Sequence, residues 1–433
     1  MATEGTAGVN FRRSKTRGNP TRRANLKHRA VKRDGRGQRS GRTRRPASLT
    51  ASTDVEAQPL DSGVIASTAI LAGIGILMVY SSTAPLAIGS AVPPHFLRHC
   101  IAVAIGVSCI AVVIRIPIAL WLRLALPLWG LGVALLLATA IAGVEVNGAR
   151  RWLALPGIDL RLQAAEFVKW STVLAIAAVT FRTHECRSAP GRPLVLTIGL
   201  IVAPVGLLLT QPDFGSAAVL IALAGLLLFV AGTPLRYLLL PAGGAGLLTV
   251  VYIATHEYAR RRLTGFLDPW ATAHQEGFQL VQSFVAFGRG GNFGVGIGDG
   301  RQKLYYLPEA HTDFVLSVVA EELGFIGVLV VLGAFAALVI AGTRIAARAL
   351  DPFCQILAFG MTALIAVPAA VNAAVVMGLI PTTGFTLPFI SFGANSLILC
   401  CAAIGVLLRT GSREVRRPRK SATTASSRGL LRA

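Results

Sequence analysis

The residues best suited to chemistry in this 433-residue sequence lie in a few short stretches. In Gln163-Ala-Ala-Glu-Phe-Val-Lys-Trp170, Glu166 and Lys169 stand three residues apart and would share one helix face. Such a pair either locks two helices together or lines a polar cavity where Lys169 meets an anionic substrate group. Farther on, Gln302-Lys-Leu-Tyr-Tyr-Leu-Pro-Glu-Ala-His-Thr-Asp313 runs straight into an apolar stretch. Asp313 is therefore expected at the mouth of a helix, partly desolvated, with Glu309 and His311 nearby. A carboxylate in that position can have a raised pKa and act as a general base, while Lys303 or Arg289 would oppose the rise. The alternative is a helix cap. Capping is the preferred reading for Asp213, in Thr210-Gln-Pro-Asp, ahead of a helix from Phe214.

Between these groups runs Ala286-Phe-Gly-Arg-Gly-Gly-Asn-Phe-Gly-Val-Gly-Ile-Gly298. Repeated glycine lets backbone approach a ligand closely and present N–H groups. The run matches neither a nucleotide P-loop nor a dinucleotide fingerprint. Glu321 and Glu322, two to three turns deeper, read as partners of buried groups. The seven histidines show no metal-binding pattern, and the six cysteines show neither CxxC spacing nor a paired framework.

The elements that must position these residues are membrane spans. A spanning helix needs about 20 mostly apolar residues. Runs of that kind occur at 62–82, 97–114, 124–143, 163–181, 193–209, 214–232, 235–255, 314–343, 353–380 and 386–408, with 163–181 the least apolar. The expected fold is an all-α polytopic membrane protein of about ten transmembrane helices. Arg115, Arg123, Arg182, Arg187, Arg192, Arg236, Arg344 and Arg348 crowd at short connections on one side. The positive-inside rule makes that side cytoplasmic and, with an even span count, puts both termini there. Two connections on the opposite side stand out, 144–162 and 256–312. The second is too long for a simple turn, and its aromatics, glycines and acids suggest one large, ordered extracytoplasmic loop.

Composition agrees. Hydrophobic residues make up 53% and charged residues 14% of the chain, with a mean hydropathy of +0.62, which excludes an ordinary soluble enzyme. The net charge of +22 belongs largely to the ends. Residues 1–61 carry 15 basic and 5 acidic side chains, and residues 409–433 carry 8 and 1. Both read as basic cytoplasmic tails, the first disordered, that anchor orientation and touch anionic membrane lipid rather than nucleic acid. The body, 62–408, is one membrane domain. Physical reasoning leaves two classes open, a transporter and an enzyme acting on a membrane lipid.

The sequence resembles the SEDS family (shape, elongation, division and sporulation proteins) over about residues 62–408. Matching motifs occur in order: Asn147-Gly-Ala-Arg-Arg-Trp, Glu166-x-x-Lys169, Gln211-Pro-Asp-Phe-Gly, Gly288-Arg-Gly-Gly, Gln302-Lys-Leu, Leu307-Pro-Glu-Ala-His-Thr-Asp-Phe, Glu321-Glu-Leu-Gly, and Pro381-Thr-Thr-Gly through Leu387-Pro-Phe-Ile-Ser391-Phe-Gly. Gly-Arg-Gly-Gly, Gln-Lys-Leu and Glu-Ala-His-Thr-Asp resemble the division branch rather than the elongation branch. The chain departs from the pattern at Gln163-Ala-Ala-Glu, at Pro368 before Asn372, and at Gly393-Ala-Asn-Ser396.

The resemblance implies a peptidoglycan glycosyltransferase that polymerises lipid II during division, inverting, with undecaprenyl diphosphate as the leaving group. It implies Asp313 as base, with Lys169, Glu166, Arg150, Arg151, Arg289, Glu309, His311 and Ser391 as substrate-binding candidates. A divalent cation, Mg or Mn, is a further candidate counter-charge, and no organic cofactor is expected. Implied partners are a class B penicillin-binding protein and divisome regulators, and the implied location is the cytoplasmic (inner) membrane at the septum. A lipid II flippase without covalent chemistry is the competing class.

Overall fold

The computed structural model describes residues 60–412 except 87–91, 147–148, 155–160, 186–191, 240–242, 245 and 247–253. Most of both basic tails, Asn147-Gly148, and much of the span expected at 235–255 lie outside the described residues. The rest is helical, in order α1 (Ser62–Thr83), α2 (Pro94–Val113), α3 (Ile118–Ala142), α4 (Ala164–Glu185), α5 (Arg192–Thr210), α6 (Phe214–Val230), α7 (Glu257–Leu267), α8 (Phe278–Gly290), α9 (Val315–Arg348), α10 (Pro352–Val376) and α11 (Ala394–Gly411). A small antiparallel sheet, which the all-α expectation omits, fills the connection after α3: β1 (Val144–Val146), β2 (Ala149–Ala154) and β3 (Arg161–Leu162). Its register sets Val144 against Trp152 and Leu153 against Leu162.

Among the described residues, seven helices are long and apolar enough to cross a membrane: α1, α2, α3, α4, α9, α10 and α11. Helices α5 and α6 are apolar but shorter. The chain is a multi-pass membrane protein. Starts are set by local chemistry. Asp61 accepts from the Val64 N–H, Asp213 from that of Ser216, and Asp351 from that of Phe353 with Pro352 next, so each satisfies a free donor of a first turn. Asp213 is thus the cap its spacing suggested.

Helix α4 explains why its run is the least apolar. Within its most apolar stretch 83% lies inside the protein, against 22% for α2 and α3. Its neighbours are side chains rather than lipid, so Ser, Thr, Glu and Lys are tolerated there. Elsewhere in the bundle, small residues let helices close up. A Cβ added to Gly106 of α2 would lie 2.7 Å from Cys401 Sγ of α11, and one on Gly405 would lie 2.8 Å from Val113.

One connection differs from expectation and one agrees with it. The last span was expected from 386, yet α11 begins at Ala394. Residues 377–393 instead form a folded strap, buried at Phe385, Leu387, Phe389 and Ile390. Pro381 and Pro388 cannot continue a helix, but hydropathy reads a buried apolar strap and a span alike. The long connection is ordered. It holds α7, α8 and a single π-helical stretch, Gln302–Tyr306.

Candidate active site

Helix α9 carries acidic groups at its start and about two turns in, and the structure treats them in opposite ways. Deeper in, α9 breaks at Gly324, whose φ of 68° and ψ of −166° are open to glycine but strained for other residues. The glycine run docks on this break. Phe325 N–H donates to Gly291 O, and Ile326 N–H to Asn292 O; in return Val295 and Gly296 N–H groups donate to Glu321 and Glu322 O. At Gly294 (φ 82°) any Cβ would strike the Glu322 carbonyl. Gly290 and Gly294 make room for the protein's own backbone, whereas Gly288, Gly291 and Gly298 have open space where a Cβ would stand.

The same docking satisfies both deep carboxylates. Glu321, fully buried, accepts from Arg289 at 2.7 Å and from the Arg301 and Gln302 N–H groups at 2.9 and 3.0 Å. Glu322 accepts from Lys303 at 2.6 Å and from Ser81 of α1 at 2.7 Å, and Lys303 also donates to Gly298 O. Arg289 and Lys303 are therefore bound here, and the cation that opposes the rise in the Asp313 pKa is a different one.

Asp313, half-buried just ahead of α9, has no donor on its carboxylate among the described residues. Its pKa is raised to about 7, chiefly by burial and next by Glu309, with Arg262 of α7 opposing. The opposing cation was not apparent in the sequence, because Arg262 lies 51 residues away. The Glu309 backbone is left-handed (φ 54°), its carbonyl accepts from the Thr312 and Phe314 N–H groups, and its carboxylate accepts from Thr312 Oγ1 at 2.7 Å. The His311 ring packs against His95 of α2 and Phe392, centroids 5.7 and 5.9 Å away. Burial holds the His311 pKa below the usual imidazole value, with Glu309 working against that and His95 adding to it.

The strap joins these residues to α4. Gly384 lies against Asp313, where an added Cβ would sit 3.3 Å from Oδ2. Phe385 puts its ring centroid 6.0 Å from Lys169 Nζ, at the outer edge of cation–π range. Ser391 donates to the Thr312 carbonyl and accepts from the Leu387 N–H, and Arg262 donates to Thr382 O. Lys169 is 2% exposed and donates to Glu166 at 2.7 Å, while Glu166 keeps 19% exposure. Both residues stand on one helix, and their bond runs along α4. Lys169 is a buried cation presented beside the strap.

Arg150 and Arg151 fall on β2. Arg150 makes an exposed 3.5 Å ion pair with Glu145. Arg151 donates to the Gln211 and Pro212 carbonyls, tying the sheet to the turn before α6. The sequence reading missed Arg262, His95 and Phe385. It passed over Asn372 as a binding group, although an amide in an apolar span was a legible signal.

Residues 62–415 match the cell cycle protein family of FtsW, RodA and SpoVE. The chain belongs to that family. It is 42% identical over 353 residues to a probable peptidoglycan glycosyltransferase FtsW of Trichlorobacter lovleyi, covering 78% of this chain and 89% of the relative. A protein of the same name from Coxiella burnetii is 39% identical over 364 residues, covering 81% and 95%. A solved chain described under structural coordination of polymerization and crosslinking by a peptidoglycan synthase complex superposes with a TM-score of 0.65 at 29% identity, over 81% of this chain and 97% of that one. The rod shape determining protein RodA of Thermus thermophilus gives 0.60 at 27%, over 81% and 96%.

Proposed function

We propose that this chain is the division-branch peptidoglycan glycosyltransferase of its cell, polymerising lipid II at the outer face of the cytoplasmic membrane. One observation carries the mechanism. The donor-free carboxylate of Asp313, with its pKa at about 7, lies against the same strap that sets Phe385 beside the buried Lys169. A group titrating near neutrality suits proton transfer at physiological pH.

In the proposed step the acceptor GlcNAc 4-hydroxyl gives its proton to Asp313 as its oxygen attacks the anomeric carbon of the donor MurNAc. The bond from that carbon to the lipid diphosphate breaks, and undecaprenyl diphosphate departs with the electron pair, so configuration inverts. A diphosphate leaves without the strong acid that a glycoside requires, so one carboxylate suffices and cations stabilise the leaving charge. Lys169 is the buried candidate for that role, and Arg150 and Arg151 are the candidates at the sheet. Arg289, which already bonds Glu321 but stays one-third exposed, is a further candidate. Glu166 orients Lys169, and Glu309, His311 and Ser391 hold the segment carrying Asp313.

Among the described residues no group of three or more His, Cys, Asp or Glu stands together to hold an ion. A Mg or Mn ion needs only one or two carboxylates and takes its remaining ligands from water and phosphate, so the candidate ion would come with the lipid diphosphate, beside Asp313 and Glu309. In the proposed step the chain's own cations are the counter-charge.

The names of the FtsW relatives support the reaction, and the superposed synthase chain supports a crosslinking partner, a class B penicillin-binding protein acting with divisome regulators at the septum. The deciding experiment is glycan polymerisation from lipid II by the purified chain, with and without that partner. Wild type should make chains and Asp313→Asn should make none. Lipid II crossing a vesicle membrane without glycan product would establish the flippase instead. Labelling by an impermeant thiol reagent should reach Gln275→Cys but neither Ala30→Cys nor Ala425→Cys in a cysteine-free background. The reverse pattern would invert the topology.

A further inference from the structure

Asn372 stands at the end of α10 among apolar neighbours and is 1% exposed. Its Nδ2 donates to Asp313 O at 2.7 Å and to Phe385 O at 2.6 Å, while Oδ1 has no partner. The amide orientation is forced, since both partners are carbonyls and only the NH₂ end can serve them. The Asp313 carbonyl is available because α9 starts tightly, the Ser317 N–H bonding Phe314 O.

The two carbonyls belong to different halves of the site. One is on the residue carrying the donor-free carboxylate. The other is on the residue whose ring lies beside Lys169, one position after the glycine pressed against Asp313. An amide from a third element thus pins the start of α9 to the strap. Leaving its oxygen unpaired in the core costs about 1–3 kcal/mol, an expense that a purely apolar residue would avoid.

We propose that Asn372 is a positioning residue for glycosyl transfer, setting the placement of Asp313 relative to the Lys169 side of the site through the two backbone carbonyls it holds. It touches no reacting atom. The proposal rests on the polymerase reading, and its leverage is geometric, because a misplacement of about 1 Å can cost roughly 10²-fold in rate.

The test uses the full-length chain reconstituted with lipid II and, where wild type requires it, the penicillin-binding protein. Asn372→Ala should lower kcat about 10- to 100-fold with KM for lipid II within about twofold. The acid limb of its pH–rate profile should move to lower pH, because the freed junction admits water to a carboxylate whose pKa is raised chiefly by burial. Glu309 in the connection and Arg262 on α7, the charged groups acting on Asp313, are unaltered and do not account for the shift. Asn372→Gln, which keeps the NH₂ donors on a longer stem, should restore part of kcat. Hydrogen exchange should quicken in 310–317 and 382–388 of the Ala variant while 292–302 stays protected. Unchanged kcat, a lowered kcat with an unmoved limb, or exchange quickened throughout would overturn the positioning role. A wild type that makes no glycan would refute the polymerase reading, and the exchange pattern would still report whether the clamp exists.

Discussion

Two carboxylate sites, one just ahead of α9 and one within it, teach opposite lessons. At Glu321 and Glu322 each charge meets a cation and further donors, and the glycine run closes over them. At Asp313 the carboxylate meets no donor among the described residues, a second carboxylate acts on it, and its pKa stands at about 7. A satisfied buried charge holds the fold together. An unsatisfied one at the protein's edge is poised to exchange a proton. Sequence spacing places acids in both sites alike, and only the partners separate them.

The sharpest way to break this contrast is to neutralise one carboxylate from each site. Asp313→Asn keeps size and capping ability but cannot take the proton, so polymerisation should fall about 10²- to 10⁴-fold with yield and thermal stability unchanged. Retention of more than about a tenth of wild-type polymerisation would remove Asp313 from the base role. Lys303→Met should do the reverse. It strands Glu322 in the core and should cost about 3–5 kcal/mol of stability, read as a lower melting temperature in detergent or loss of the protein from the membrane. Adding Glu322→Gln to Lys303→Met should recover part of that loss. A Lys303→Met protein that melts like wild type but makes no glycan would place the closed site in the chemistry.

Lys169→Met tests which kind of site α4 contributes to. Met keeps most of the stem and removes the cation. Polymerisation should fall about 10²-fold, the usual consequence of losing one preorganised electrostatic contact, at near-normal membrane levels. Disappearance of the protein would instead group Lys169 with the buried pairs of α9.

Much of this was legible in the sequence because bilayer physics is coarse. Apolar length located the helices to within a few residues wherever their ends were capped, as at Ser62 and Phe214. It failed at 386–393, where a buried strap is as apolar as a span. The capping role of Asp213 and the structural roles of Glu321 and Glu322 followed from residue type and depth. Their partners did not, because Ser81 lies 241 residues from Glu322, and no local pattern encodes a contact of that range. The glycine run was legible as a close backbone approach but not in its target, which proved to be the break in α9. Lys303 and Arg289, the cations near Asp313 in sequence, pair with Glu322 and Glu321. The fold supplies Arg262 instead, brought in from α7.

The smallest effect concerns the acid limb of the polymerisation profile and probes the open site without dismantling it. Asp313 accepts a proton only when ionised, so the wild-type rate should rise with pH through about 7 and then level off. Burial is the chief reason for that position and is unaltered by a change at Glu309. Glu309 is the next contributor, raising the pKa because its own negative charge disfavours a second one nearby. Glu309→Gln should therefore move the limb to lower pH by less than about one unit, leaving the plateau rate within about threefold. The variant should outpace wild type at about pH 6, relative to its own plateau, and match it at about pH 8. Arg262→Gln should move the limb the other way, because the lost cation had favoured the carboxylate. Initial rates of lipid II consumption across that range read both shifts. Limbs that move together, or not at all, would show that the titrating group is not Asp313, and the contrast between the two ends of α9 would then rest on geometry alone.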